Sequence, residues 1–263
     1  MEEFLSHYQQ VREDLRLEQD LGRLELARTQ ELILRHLPKP PGVVLDVGGA
    51  AGVYSAWLGA LGYETHLIDP VPHHVEEARK LSTPIKSATV GDARKLSQAD
   101  GSVDAVLMLG PLYHLTEREE RLAALGEAHR VLRAGGMLYA AAISHFASLL
   151  DGLARGLIDD LRFVSIVDQD LTCGQHRNPT DNPNYFTTAF FHRPEELSSE
   201  IAEAGFSMIE LAAIEGPGWL ARDFEARWDD AARREQLLML VRKVEHEPAL
   251  LGLSLHILAV ARK

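Results

Sequence analysis

The spacing of apolar positions changes along the chain, and the changes mark out its elements. Residues 4 to 37 carry Leu15, Leu17, Leu21, Leu24, Leu26, Ile33, Leu34 and Leu37 at mixed three and four spacing, which predicts helix. Gly22 is expected to separate two helices, and Pro38, Pro40 and Pro41 end the pattern. Short apolar runs then predict strands at 43–47, 64–68, 85–90, 103–109 and 137–143, with helical patterns at 53–61, 73–82 and 117–133 between them. This alternation predicts an α/β fold, a parallel sheet with helices on both faces. Ligands gather at the carboxyl ends of the strands in such a sheet. Asp46, Gly48, Asp69, Asp92, Gly110 and His114 all fall at those ends.

The later chain departs from simple alternation. Roughly fifty residues separate the fifth strand from a helix near 194–205, too many for an ordinary connection. They hold a helical pattern at 146–161 and a polar, turn-rich, aromatic stretch from Gly174 to Phe186. A segment of this kind above the strand ends is expected to act as a substrate lid, here 146–192. A strand at 206–214, a helical insertion at 222–247 and a final strand at 254–261 complete the pattern. The expected organisation is one domain. It has an N-terminal helical cap (1–38), a cofactor-binding core (40–145), the lid, and a C-terminal part of the sheet (193–263).

The sharpest local signal is Val43-Val44-Leu45-Asp46-Val47-Gly48-Gly49-Ala50-Ala51-Gly52, a strand running through glycines into a helix that starts near Val53. Glycine lets the backbone turn tightly and lets a ligand approach closely. The helix N-terminus offers free N–H groups and a positive dipole end. Asp69, at the end of the next strand, stands where an acid accepts hydrogen bonds from ribose hydroxyls. A nucleoside-containing cofactor is expected. Gly48, Gly49 and Gly52 do not fit the G-x-G-x-x-G spacing of dinucleotide-binding loops.

Asp46-x-Gly48-x-Ala50-x-Gly52 instead resembles the D-x-G-x-G-x-G loop of class I S-adenosylmethionine (SAM)-dependent methyltransferases, with Ala50 where the family has glycine. Alanine does not readily take a positive φ. His66-Leu67-Ile68-Asp69-Pro70, Thr89-Val90-Gly91-Asp92-Ala93-Arg94 and the run from Asp104 to Leu115 follow in the family's order. Arg130 to Leu138 resembles the family's helix end, glycine turn and fifth strand. The resemblance covers roughly residues 40 to 145.

It implies a doubly wound, mostly parallel, seven-stranded Rossmann-like sheet whose final strand lies antiparallel in the edge region, with SAM as cofactor. It assigns Asp69 to the ribose hydroxyls, Asp92 to the adenine amino group and the Ala93 amide to a ring nitrogen. The implied cofactor-binding set is Tyr8, Asp46, Gly48, Gly49, Ala50, Gly52, Tyr54, Asp69, Pro70, Asp92, Ala93, Leu109 and Gly110. Asp69 is expected to carry little of the folding energy. Tyr54 faces either cofactor or core. Tyr8 and Arg12 occupy the helix that in relatives folds over the cofactor. Tyr8 is a candidate for the methionine carboxylate, and Arg16 either pairs with that carboxylate or is solvated.

Methyl transfer from a sulfonium needs in-line positioning of the acceptor, and a base only where the acceptor holds a proton. His114 is the leading base candidate because histidine titrates near neutrality; its alternative role is to hold the 110–115 turn. Tyr113 lines the methyl site or packs. His145 is a second base candidate, and His145, His176, Tyr185 and His192 are candidates for the substrate side. His73 and His74 are expected near the adenosine.

The chain has 263 residues, 46% hydrophobic, with a formal charge of −12. That charge argues against nucleic acid and favours small cationic or neutral acceptors. Cys173 is the single cysteine, so no intramolecular disulfide forms. No signal core or membrane-length apolar run is present, and no histidine or cysteine set has metal spacing, so a cytoplasmic monomer or homodimer without a metal is expected. The expected activity is methylation of a small molecule. The competing readings are a nicotinamide-dependent oxidoreductase and a SAM-binding protein without transfer activity.

Overall fold

The computed structural model describes residues 16–83, 85–180 and 182–263; Tyr8 and Arg12 lie outside the described residues. The first half runs α1 (Gly22–His36), β1 (Val43–Val47), α2 (Val53–Ala60), β2 (Glu64–Asp69), α3 (Pro72–Arg79) and β3 (Ser87–Val90). Then come β4 (Val103–Met108), the single turn α4 (Pro111–His114), α5 (Arg118–Val131) and β5 (Leu132–Ile143). The lid region holds α6 (Ala147–Arg155), α7 (Leu161–Cys173), β6 (Gln175–His176) and β7 (Ala189–Phe190). The chain closes with α8 (Pro194–Glu203), β8 (Ser207–Ala213), α9 (Phe224–Asp229), α10 (Ala231–Val244), α11 (Pro248–Leu251) and β9 (His256–Arg262).

Seven strands form one sheet in the order β3-β2-β1-β4-β5-β9-β8. The first five are parallel, while β9 runs antiparallel to both β5 and β8. Alternate residues of each strand enter opposite cores. Leu45, Val106 and Leu138 pack with Ala124, Leu125 and Ala128 of α5 and with Leu197 and Ile201 of α8. Val44, Leu107 and Tyr139 pack with Leu32 and Ile33 of α1 and Leu58 of α2. Burial on both faces is why these strands read as unbroken apolar runs. The strand order reverses between β1 and β4, which opens a crevice at their carboxyl ends.

Four expectations are corrected. The final strand was expected in the sheet's edge region, but β9 is paired on both sides and β8 forms the edge. The interior of β9 is buried throughout, whereas the first three residues of β8 are exposed, as suits an edge. The 146–161 helix is two elements, because Gly156 takes the left-handed conformation (φ 71°) that ends α6. Asp160 then caps α7 by accepting from the Arg162 amide. The 222–247 helix likewise splits at Asp230, whose side chain accepts from the Ala232 and Arg233 amides. Gly135 and Gly136 belong to the start of β5 and not to a helix end, since α5 stops at Val131. Among the described residues no helix is long and apolar enough to cross a membrane.

Candidate active site

A cavity of about 380 Å³ occupies the crevice at the β1/β4 reversal, within the usual range for small-molecule sites. Asp46 lines it from β1, Gly48, Gly49 and Ala50 from the loop that follows, and Tyr54 from α2. Asp69 and Pro70 reach it from the end of β2, Asp92 and Ala93 from the end of β3, and Leu109 and Gly110 from the end of β4. Gly52 does not line it. A Cβ there would meet Ile85 Cδ1 at 2.9 Å, and its φ is +88°, so this glycine serves the turn and the packing of α3.

The loop is shaped by close approach. A Cβ on Gly48 would lie 2.8 Å from Pro111 Cγ, and one on Gly49 would lie 2.6 Å from Asp46 Oδ2. Ala50 takes a positive φ of 46°, against expectation. The Ala50 amide donates to Asp69 Oδ2 at 2.9 Å, which offsets the cost of that conformation. Asp69 Oδ1 accepts from the Val71 amide at 2.9 Å and contacts His74 Nδ1 at 3.1 Å. His74 lines the cavity, whereas its neighbour His73 is exposed.

Asp46 accepts from Ser55 Oγ at 2.7 Å and so clasps α2. Burial, with the Asp69 charge adding to it, pushes the Asp46 carboxyl up to about 7 against that hydrogen bond. Asp92 is held by the Arg94 side chain (Nε at 2.9 Å) and amide (2.8 Å), which keep it below the usual carboxylate range. Burial pushes the Tyr54 phenol well above its usual value.

Under the lid lies a second cavity, of about 560 Å³. Ile143, Ala147, Phe163, Phe186 and Phe191 give it apolar walls. Its boundary with the first is made by Arg16, Tyr113 and His256, which line both. His114 lines the first cavity only, and its ring meets that of Tyr113 edge-on at 4.6 Å.

The four residues expected on the substrate side divide into two pairs. His176 and Tyr185 line the second cavity. His176 Nδ1 lies 2.8 Å from Asp170 Oδ2, its Nε2 lies 2.7 Å from the Tyr185 carbonyl, and the Tyr185 hydroxyl donates to Asp160 at 2.7 Å. His145 and His192 line neither cavity. The His145 ring lies between the Leu171 carbonyl (3.1 Å) and Arg193 (3.0 Å), and the buried His192 faces Glu200 at 3.4 Å. Their backbones join the lid's end to β5, through His192 N to Ile143 O and His145 N to His192 O, both at 2.8 Å. They are packing residues.

Among the residues that escaped the sequence reading are Glu25, Thr29, Glu215 and His256. Glu25 and Thr29 line the first cavity from α1, and Glu25 pairs with Arg16 (Oε1 to Nη2, 2.9 Å). Glu215 holds His256 Nδ1 at 2.6 Å. The available signal for His256 was strand direction. The first residue of an antiparallel β9 lies beside the last residue of β5, at the ligand end of the sheet, as the Ile143–His256 pairing shows.

These residues fit SAM. Asp69 and Asp92 offer acceptors for a diol and an amino group, and the Arg16–Glu25 pair complements an ammonium and a carboxylate. At Gly48 and Gly49 no side chain crowds the loop. A family model described as a methyltransferase domain matches residues 45–140, the stretch from β1 through most of β5. Residues 45–140 are thus similar to a methyltransferase domain, and the cavity they line fits SAM.

A ubiquinone biosynthesis O-methyltransferase of Methylocella silvestris is 30% identical to this chain in an alignment 150 residues long that covers 50% of the chain and 56% of that relative. The match thus spans little more than half of the relative's length. A Pyrococcus horikoshii protein superposes over 98% of both chains with a TM-score of 0.62 at 17% identity. A SAM-dependent methyltransferase of Mesorhizobium loti covers 91% of this chain and 100% of its own, with a TM-score of 0.60 at 14% identity. The cyclase SpnF covers 89% of this chain and 80% of its own, with a TM-score of 0.54 at 18% identity. At these identities the likeness is one of fold.

Proposed function

We propose that this protein transfers the methyl group of SAM to a small-molecule acceptor held under the lid. The observation that carries the reading is the shared wall. The cofactor cavity and the apolar lid cavity meet at Arg16, Tyr113 and His256, so a molecule in one abuts a molecule in the other. Alignment of the two partners across such a wall can supply ~7–11 kcal/mol of the barrier. In this reading SAM supplies an electrophilic methyl group and the protein supplies position.

Asp69 and Asp92 take the ribose and adenine, Arg16 and Glu25 take the amino-acid end, and Tyr113 orients the acceptor at the boundary. His114 lies against the cofactor. The name of the Methylocella relative supports oxygen as the atom methylated. In this reading the protein acts on free small molecules, with neither nucleic acid nor membrane as partner, in keeping with its charge of −12.

The test is a thermal shift followed by a transfer assay. SAM or its demethylated product at 100 times its dissociation constant contributes ~2.7 kcal/mol by linkage, a rise in Tm of roughly 5–10 °C for a chain of this length. NAD is expected to give no shift, and a shift with NAD alone overturns the reading. Labelled methyl transfer to an acceptor then separates an enzyme from a binding protein, a needed step because a cyclase shares the fold.

A further inference from the structure

The lid cavity is lined by more basic than acidic side chains, in a chain whose formal charge is −12. Its lining includes Arg16, Arg155, His176 and His256 against one acid, Asp151. The acids that partner two of these groups, Asp170 behind His176 and Glu215 behind His256, do not line the cavity. Arg155 is paired with Asp151 at 2.9 Å and both His176 nitrogens are engaged, whereas His256 keeps Glu215 and Glu25 outside this cavity.

His256 is the best held of these groups. It sits at the start of β9 beside Ile143, on the wall between the two cavities. Glu215 is buried, and both of its oxygens are engaged. Oε1 meets His256 Nδ1 at 2.6 Å, while Oε2 accepts from the His256 amide at 3.0 Å and from Ser254 Oγ at 2.8 Å. Glu25 Oε2 approaches the same Nδ1 at 3.8 Å from α1, and Arg16 stands beyond Glu25. With Nδ1 committed, Nε2 is the nitrogen free to meet a ligand, and no hydrogen bond to it is found among the described residues.

Burial opposes charge on this ring. Glu25 and Glu215 outweigh burial and the repulsion of Arg16, and push the His256 pKa up to about 9. The ring is therefore a fixed cation at neutral pH and an unsuitable base, but a strong charge-assisted donor.

We propose that the acceptor is an apolar small molecule carrying an anionic oxygen, a carboxylate or a phenolate, and that His256 Nε2 anchors that oxygen beside the methyl group. The inference rests on the methyl-transfer reading above and names its substrate class. The step balances without a base. A lone pair of the anionic oxygen forms the bond to the methyl carbon, and the electron pair of the broken carbon–sulfur bond stays on sulfur. The oxygen carries no proton to be removed, so His114 need not take one.

The test is calorimetric titration of the full chain saturated with the demethylated cofactor. The probes are 4-butylbenzoate, 4-nitrophenol at pH 8 (ionised), the neutral 4-butylbenzamide and the cationic 4-butylbenzylamine. At least one anion is expected to bind and the amide and amine are not. Which anion binds separates a carboxylate acceptor from a phenolate one. His256→Gln, measured with the demethylated cofactor kept at saturation for that variant, is expected to weaken anion binding about 10–100-fold, the scale of a hydrogen bond to a charged group.

In the unmodified protein anion affinity is expected to fall as pH rises through about 9, a signature that packing alone does not produce and that needs no variant. Binding of the amide or amine as tight as the anions, failure of both anions to bind, or full anion affinity in His256→Gln overturns the proposal. Failure of the cofactor to bind would instead overturn the methyl-transfer reading.

Discussion

The Ala50 amide donates to Asp69 Oδ2 at 2.9 Å and so ties the loop after β1 to the end of β2. Both ends of the bond border the cofactor cavity. One carboxylate therefore holds a strained loop residue and the start of α3 through Val71 and His74, while also facing the ligand. An acid at a strand end is structural and functional at once.

Asp69→Ala is accordingly expected to harm folding as well as binding, contrary to what its place at a strand end suggests. Loss of the acceptor for these buried donors costs about 1–3 kcal/mol, visible as lower Tm of the protein without cofactor. SAM affinity should fall about 10–100-fold in calorimetry. A variant that melts like the parent would show that the Ala50 bond contributes nothing.

Gly52→Ala is expected to act on stability alone. The site needs φ of +88°, and a Cβ there would press on Ile85 and Leu81. The left-handed conformation costs about 1–2 kcal/mol for an L residue, which corresponds to a Tm lower by roughly 2–8 °C. Because Gly52 does not line the cavity, SAM affinity of the folded variant should match the parent. A selective loss of affinity at unchanged Tm would place Gly52 in the site after all.

Asp46 sets a pH dependence whose sign follows from its position. Its carboxyl is raised from 3.8 to about 7 in the fold, so between these values the folded state binds more protons than the unfolded one. Stability contributed by the protonated form is fully present below about pH 4, is lost as pH rises to about 7, and is flat above. Asp46→Asn keeps an acceptor for Ser55 and removes the charge. Its Tm should exceed the parent's at pH 8, by up to about 4 kcal/mol of stability, and converge with it near pH 4. Parallel Tm–pH curves for the two proteins would refute the assignment.

Tyr113 and His114 should separate kinetically once an acceptor is in hand. Tyr113 borders both cavities and His114 only the cofactor cavity. His114→Ala should lower kcat by less than about tenfold and leave the pH–rate profile in place, since a general base is worth ~10²–10⁴. Tyr113→Ala should raise the acceptor KM and lower kcat together through lost alignment. A loss of ~10³ in kcat for His114→Ala, with a pH limb removed, would restore it as the base.

The cofactor half of the site was legible because its geometry is local. A strand, a glycine turn and an acid at each strand end follow from period and spacing along some fifty residues. The strands β1 to β5 and the cavity-lining positions Asp46, Gly48, Asp69, Asp92 and Gly110 therefore stand where the pattern puts them. Even here the sequence misjudged backbone detail. Ala50 takes a positive φ because a hydrogen bond from a separate strand holds it there. The lid histidines were harder, since a histidine in a polar segment reads the same whether it faces a pocket, as His176 does, or fills the core, as His192 does.

By itself, then, the sequence determined the α/β alternation, the position of the cofactor loop and the acids beside it, because each depends on neighbours a few residues away. Tertiary structure alone decided the acceptor side. It seated β9 between β5 and β8, which put His256 in the wall of both cavities, and it set Glu215 and Glu25 against the ring from two other elements. Those contacts join residues as much as 231 positions apart, as between Glu25 and His256, and hydrophobic or charge periodicity carries no information at that range.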